Sequence, residues 1–261
     1  GLEFNDGKVM ITNFGNVLNI NWDKILKYVR TETLMDIVQD SDLIGLGYWS
    51  SIPEFQEILK HFRDEILPSI TNVRKKILFI DLADTKRRRK EDLRKFLGFL
   101  KALEGRIPIA LSLNDREALD VSNTLENGDN GVFLEGTEKD GKRLLGQMIN
   151  QELRLSHLIV HTPRLATIST PKEHSWVRQA YTSRPQFTTG AGDHFNAGAC
   201  TGLACELKPS EVVLLGNAVT GIFIRTGISP NLAQISQFLN LYHDFLKSDI
   251  AQFPAPSKLE E

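Results

Sequence analysis

The run TTGAGDHFNAG, Thr188 to Gly198, gathers two threonines, two glycines separated by one residue, an acid and a string of small residues. Each has a use around an anion. Glycine lets the backbone N–H groups of Gly190, Ala191 and Gly192 approach a charged ligand closely, and a helix starting there adds the positive end of its dipole. Asp193, in the first turn, faces the same point, where a carboxylate could accept the proton of a hydroxyl attacking phosphorus. Phosphoryl transfer passes through a loose transition state, so such a base needs position more than strength. Ala197, Gly198, Ala199 and Gly202 would let the helix pack closely beneath the site. An acid-capped helix after a glycine turn would use the same residues, so GAGD alone leaves both readings open.

Other chemistry-bearing stretches are weaker. In LNDREAL, Leu113 to Leu119, Asn114 and Glu117 have the spacing of a capping box, and a capped helix can also present Glu117 to water around a metal. Asp81 and Asp84 close an apolar run, where turn chemistry is an equal explanation. KRRRK, Lys86 to Lys90, reads as a solvated helix start or as a contact for a phosphorylated substrate. GTEKDGKR, Gly136 to Arg143, has the spacing of a phosphate loop but ends in Arg143 where Ser or Thr must hold magnesium, so it reads as a turn. His194 should point away from the target of Asp193 and line the wall of the site. Two cysteines and six scattered histidines give no zinc pattern, and no G-x-S-x-G elbow is present.

The elements that must position these residues alternate. WDKILKYV, TLMDIVQ, Pro53 to Ile66, Glu91 to Leu103, Asp115 to Leu125 and Lys142 to Leu153 read as helices. DLIGLG, KILFID, IPIALSL and HLIVH read as short buried strands between them. Such alternation predicts a mostly parallel sheet covered by helices on both faces, with ligands at the carboxyl ends of the strands. Pro163 to Phe187 is expected to form an antiparallel edge hairpin, and EFNDGKVMI a hairpin near the start. ENGDNG, Glu126 to Gly131, is a turn. Ala191 to Glu206, Pro209 to Arg225 and Leu232 to Leu246 read as three helices, and FPAPSKLEE as a frayed tail.

With 261 residues, 41% hydrophobic and 25% charged, the chain can bury a full core, and residues 1–250 are expected to form one domain with 251–261 as a tail. A net charge of -2 favours neither nucleic acid nor an anionic membrane, which leaves a small molecule as the expected partner. Cys200 and Cys205, five apart on one helix, should not pair, and a cytoplasmic setting fits. No signal peptide or membrane span is evident. Opening on Gly1 rather than Met suggests a preceding segment.

TTGAGDHFNAG resembles the C-terminal signature of the ribokinase-like carbohydrate kinases, the PfkB family, D-T-x-G-A-G-D-x-F-x-A-G. The resemblance covers roughly Asp42 to Leu246, and only its GAGD string is specific. It implies a ribokinase-like three-layer α/β/α sandwich and transfer of a nucleotide's terminal phosphoryl group to a sugar hydroxyl, with Asp193 as base. Gly190, Ala191, Gly192 and Thr189 would then hold the phosphoryl group. Asn114 and Glu117 would order Mg2+ through water, and Asp81 stands where several relatives have an acid near the reacting groups. Asn217 and Gly221 in LGNAVTGIF, with Thr162 in HTPRLAT, would meet the nucleotide. Phe187 replaces the leading acid, which puts activation by a monovalent cation such as potassium in doubt. Pro163 and Ala166 replace glycines of the donor loop, implying weaker or altered donor binding. ATP is the expected donor, with ADP an alternative because EFNDGKVMI also resembles a segment of the ADP-dependent sugar kinases. The early strands and lid of the family are not found, and since that lid often pairs subunits, a homodimer stays open. A non-catalytic relative that keeps the fold is the rival reading.

Overall fold

Short continuous apolar runs make the central strands, and apolar stripes at helical spacing make the helices that cover them. The computed structural model describes residues 2–4, 7–9, 11, 13–125 and 140–253. Strands β1 (Leu2–Phe4) and β2 (Gly7–Val9) pair antiparallel, Leu2 opposite Val9, as the opening hairpin requires. Helices α1 (Trp22–Tyr28) and α2 (Thr31–Asp40) follow; Asn21 caps α1 by accepting from the Lys24 N–H.

Six strands then form one sheet in chain order: β3 (Leu43–Leu46), β4 (Ile77–Asp81), β5 (Ile109–Asn114), β6 (His157–His161), β7 (Leu165–Ser169) and β8 (His174–Arg178). β3 to β5 are parallel, Leu43 opposite Ile77 and Leu78 opposite Ile109. Only residues 162–164 join β6 to β7, and 170–173 join β7 to β8. A parallel crossover needs a dozen residues or more, so these neighbours reverse direction. The expected edge hairpin is there.

By its contacts the chain divides into two compact units. The first comprises Asn13–Val160 and Ile168–His174. It contains α3 (Phe55–His61), α4 (Lys90–Leu103), α5 (Asp115–Leu125) and α6 (Asp140–Leu153). Leu78 and Ile80 of β4, with Ile109, Leu111 and Leu113 of β5, share a buried cluster with Phe96, Leu97 and Leu100 of α4. Burying each such side chain stabilises the fold by roughly 1.5–3 kcal/mol. Phe79 and Ala110, on the other face of the pleat, are buried too, as befits a middle layer.

The second unit comprises Gly1–Thr12, His161–Thr167 and Ser175–Glu261. It holds α7 (Ala191–Ala204), α8 (Pro209–Thr226), α9 (Leu232–Asn240) and α10 (Tyr242–Lys247). Phe238, Tyr242, Phe245 and Phe253 form its aromatic centre. Arg225 is buried beside them at 2% exposure, donating to the carbonyls of Gly221, Ala180 and Ile250. Burial pushes its pKa down to about 10.

Three expectations need correcting. The helix expected from Pro53 to Ile66 is α3 followed by one π-helical turn, Phe62–Ile66, and the wider turn keeps Phe62 and Ile66 buried together with Phe55 and Leu59. The helix expected from Leu232 to Leu246 breaks at Leu241, so that Phe238 and Phe245 stack at 4.5 Å while the Tyr242 hydroxyl donates to the Arg178 carbonyl. The tail expected to fray begins with Phe253 buried, its ring 5.5 Å from that of Phe238. Its remainder, the ENGDNG turn, Asn5 and Asp6 of the first hairpin, and GTEKDGKR up to residue 139 lie outside the described residues.

Candidate active site

The glycine turn is built from the backbone outward. Gln186 and Phe187 donate their N–H groups to the Ile224 carbonyl, tying the approach to α8, and Ala191 N–H donates to Thr188 at 3.2 Å. Gly190, the N-cap of α7, has φ +90°, a conformation that disfavours any Cβ. Gly192 differs. Its backbone is helical, and a Cβ there would meet only His161 Cε1 at an ordinary 3.6 Å. Neither conformation nor packing against His161 demands glycine at 192. Asp193 stands exposed in the first turn of α7, as its sequence position predicts.

Close packing holds this helix in place. A Cβ on Gly198 would lie 2.8 Å from the Leu215 carbonyl oxygen, and one on Gly216 would lie 2.8 Å from the Phe195 ring. Thr220 of α8 donates its hydroxyl to the Ala191 carbonyl at 2.8 Å, fixing the first residue of α7. His194 braces the turn. Its Nδ1 pairs with the Gly190 carbonyl at 2.8 Å, its Nε2 with the Ser229 hydroxyl at 2.9 Å, and its ring stacks on Phe223 at 3.6 Å. Thr220, Phe223 and Ser229 carry no sequence signal of this role, because they lie some thirty residues downstream.

The residues expected at a nucleotide are placed differently. Thr162 closes the β6–β7 turn: its hydroxyl donates to the Leu165 carbonyl and accepts from Arg164 and Leu165 N–H groups. Asn217 is fully buried with its amide toward the Val177 and Arg178 carbonyls, and its Oδ1 has no hydrogen-bond partner. Gly221 is glycine because Phe238 fills the space, 2.7 Å from where a Cβ would be. Phe187 lies over Gly227, with its ring 6.4 Å from that of Phe223.

In the other unit, β5 hands over to α5 through Asn114 and Glu117. Asn114 Oδ1 accepts from the Glu117 N–H at 3.0 Å, and the Glu117 carboxylate accepts from the backbone and side-chain N–H groups of Asn114 at 2.9 and 2.5 Å. The capping box is therefore real. It does not account for the charge. Burial pushes the Glu117 pKa up to about 8; the Asn114 hydrogen bonds oppose this, and the negative charges of Asp81 and Asp84 reinforce it. Asp81 accepts from the Ala83 N–H at 2.7 Å, and Asp84 accepts from the Lys86 N–H and pairs with Arg87 at 3.5 Å. A divalent cation would relieve this crowding of carboxylates. Among the described residues no group of three or more His, Cys, Asp or Glu is placed to chelate a metal directly.

Cys200 and Cys205 are thiols, and no described helix is long and apolar enough to cross a membrane.

Comparison with known proteins gives one consistent picture. A family model described as prokaryotic ketohexokinase matches residues 1–242. A ketohexokinase from Haloferax volcanii is 28% identical over 244 residues, covering 94% of this chain and 62% of that protein. Among solved structures, a probable sugar kinase from Rhizobium etli has a TM-score of 0.59 at 17% identity, over 82% of this chain and 58% of its own. Adenosine kinase from Sinorhizobium meliloti gives 0.56 at 17%, with coverages of 82% and 58%. Ribokinase from Thermotoga maritima gives 0.53 at 18%, with coverages of 82% and 60%. These likenesses establish the ribokinase-like α/β fold. The chain spans about three fifths of the length of the relatives it matches.

Proposed function

The chain belongs to the prokaryotic ketohexokinase family, and from that premise we propose that it transfers the terminal phosphoryl group of ATP to a hydroxyl of a ketohexose or closely similar sugar. The observation that carries this reading is Asp193, exposed directly after a turn whose Gly192 is glycine for no steric reason of the protein's own. Asp193 takes the proton of the attacking hydroxyl. The N–H groups of Gly190, Ala191 and Gly192, with the Thr189 hydroxyl, hold the phosphoryl oxygens, and the dipole of α7 adds to their pull. Asp81 is the acid on the sugar side. Asn114 and Glu117 would hold Mg2+ through its water; when bound, that ion supplies neutralising charge to the donor phosphates. Thr162, Asn217 and Gly221 would serve the nucleotide only indirectly, by supporting the elements around it, since Thr162 is engaged in its turn, Asn217 is buried and Gly221 packs against Phe238.

The reading treats residues 1–250 as one ribokinase-like domain and places the protein in the cytoplasm, where its thiols stay reduced. A non-catalytic relative is the second reading, favoured by Pro163 in the donor turn and Phe187 before the glycines. Incubating the complete protein with Mg2+, ATP or ADP and a panel of ketohexoses, aldoses and nucleosides decides between them. Turnover of a ketohexose with ATP, abolished in Asp193→Asn, is the expected outcome. Inertness toward every acceptor with both donors would sink the kinase reading.

A further inference from the structure

The basic run Lys86 to Lys90 leads into α4, where the positive end of a 14-residue helix makes basic side chains unfavourable. Its N-cap is Arg89, which supplies no side-chain acceptor for the open N–H groups of the first turn. Asp92 of that turn is committed to Arg89, at 3.1 and 3.2 Å. Asp84 pairs with Arg87 and Glu91 lies beside Asp92, yet five basic side chains against three acids leave a positive excess at this helix start that an anion would offset.

A pocket of about 460 Å³ opens beside this helix start, a size suited to a small metabolite. Arg87, Arg88 and Arg89 line it against a single carboxylate, Asp92. Arg88 is held rigidly, stacked over Trp49 and donating to the carbonyls of Trp49, Ile52 and Pro53. Those carbonyls orient the guanidinium without neutralising it, and no carboxylate of the described residues lies within 4 Å. Burial lowers its pKa, while the negative charges of Asp92 and Glu54 act the other way. Ser50, also in the lining, is 8% exposed with a hydroxyl that has no hydrogen-bond partner. The remaining wall is apolar: Phe14, with Arg87 over its ring at 4.2 Å, Leu18 and Pro53.

We propose that this pocket binds a small organic phosphate, a monoester whose dianion sits between Arg87, Arg88 and the first turn of α4 while its carbon skeleton lies on Phe14, Leu18 and Pro53. Arginine forks and a helix start recognise phosphate oxygens, and the apolar wall sets a monoester above the bare ion. The test titrates the intact protein at constant ionic strength with glycerol 3-phosphate, inorganic phosphate and glycerol, by calorimetry and by NMR of the arginine Nε–H signals. Glycerol 3-phosphate should bind more tightly than inorganic phosphate, glycerol should not bind, and the Arg87 and Arg88 signals should shift. Arg87→Ala, at a partly exposed position outside the buried core, should weaken binding about tenfold without changing the unfolding midpoint by more than a modest amount. Unchanged affinity in Arg87→Ala, equal affinity for inorganic phosphate, or shifts confined to the Gly190–Asp193 amides would each overturn the proposal.

Discussion

The start of α7 and the start of α5 are both loop-to-helix junctions that carry an acid, and they hold it by opposite means. At α7 the acid is exposed and its position comes from steric fit: a left-handed Gly190, glycines seated against α8, and a hydroxyl from Thr220 on Ala191. At α5 the acid is buried and its position comes from two hydrogen bonds to Asn114. The first arrangement leaves a carboxylate exposed at the surface. The second makes ionisation of the acid costly, a cost that a bound cation would lower. Geometry alone identifies a candidate base at α7, whereas at α5 geometry describes only a cap, and the raised pKa points further.

Substitutions can break this comparison at several points. Asp193→Asn should lower kcat by about 10²–10⁴-fold with little change in thermal stability, measured by steady-state kinetics and calorimetry. A comparable loss of stability would mean that the exposed acid is structural. Glu117→Gln should act on the pH dependence of folding. Between pH 4.5 and about 8 the folded chain carries one more proton on Glu117 than the unfolded chain, so stability falls as pH rises through that window. The loss is on the order of a few kcal/mol, and it should flatten in Glu117→Gln when denaturant midpoints are compared across pH. Identical slopes would remove the buried charge from the account.

Two glycine substitutions sharpen the contrast within α7 and α8. Gly216→Ala forces a methyl group toward the Phe195 ring and should destabilise by about 1–3 kcal/mol in chemical denaturation. Gly192→Ala should leave stability unchanged or slightly improved, because alanine favours helix by roughly 0.5–1 kcal/mol, yet lower kcat/KM for the donor. A destabilised Gly192→Ala with normal kinetics would reverse the assignment of the two glycines.

Much of this was legible before any coordinates. The strands β4 and β5, helices α4, α5 and α8, and the turn before Asp193 follow from local periodicity and glycine placement. What stayed hidden is long-range. Nothing near Thr220 announces that its hydroxyl reaches back to Ala191, and nothing near Leu241 announces a break, since the aromatic cluster that dictates it includes Phe253. Asn217 and Gly221 were visible as polar and small residues, but only packing tells that one is buried and the other makes room for Phe238. The capping box at Asn114 was visible too; the charge environment of Glu117 depends on Asp81 and Asp84, thirty-odd residues earlier.

Arg225 bears on how this chain can be cut and joined. Its guanidinium gathers carbonyls from three separate stretches, at Ala180, Gly221 and Ile250, between the rings of Phe238 and Phe245. An expression boundary drawn at the end of α10 would keep every described helix and still strip one acceptor from a buried cation. Any trimming or fusion of this protein therefore has to retain the Ile250 carbonyl and Phe253, beyond α10.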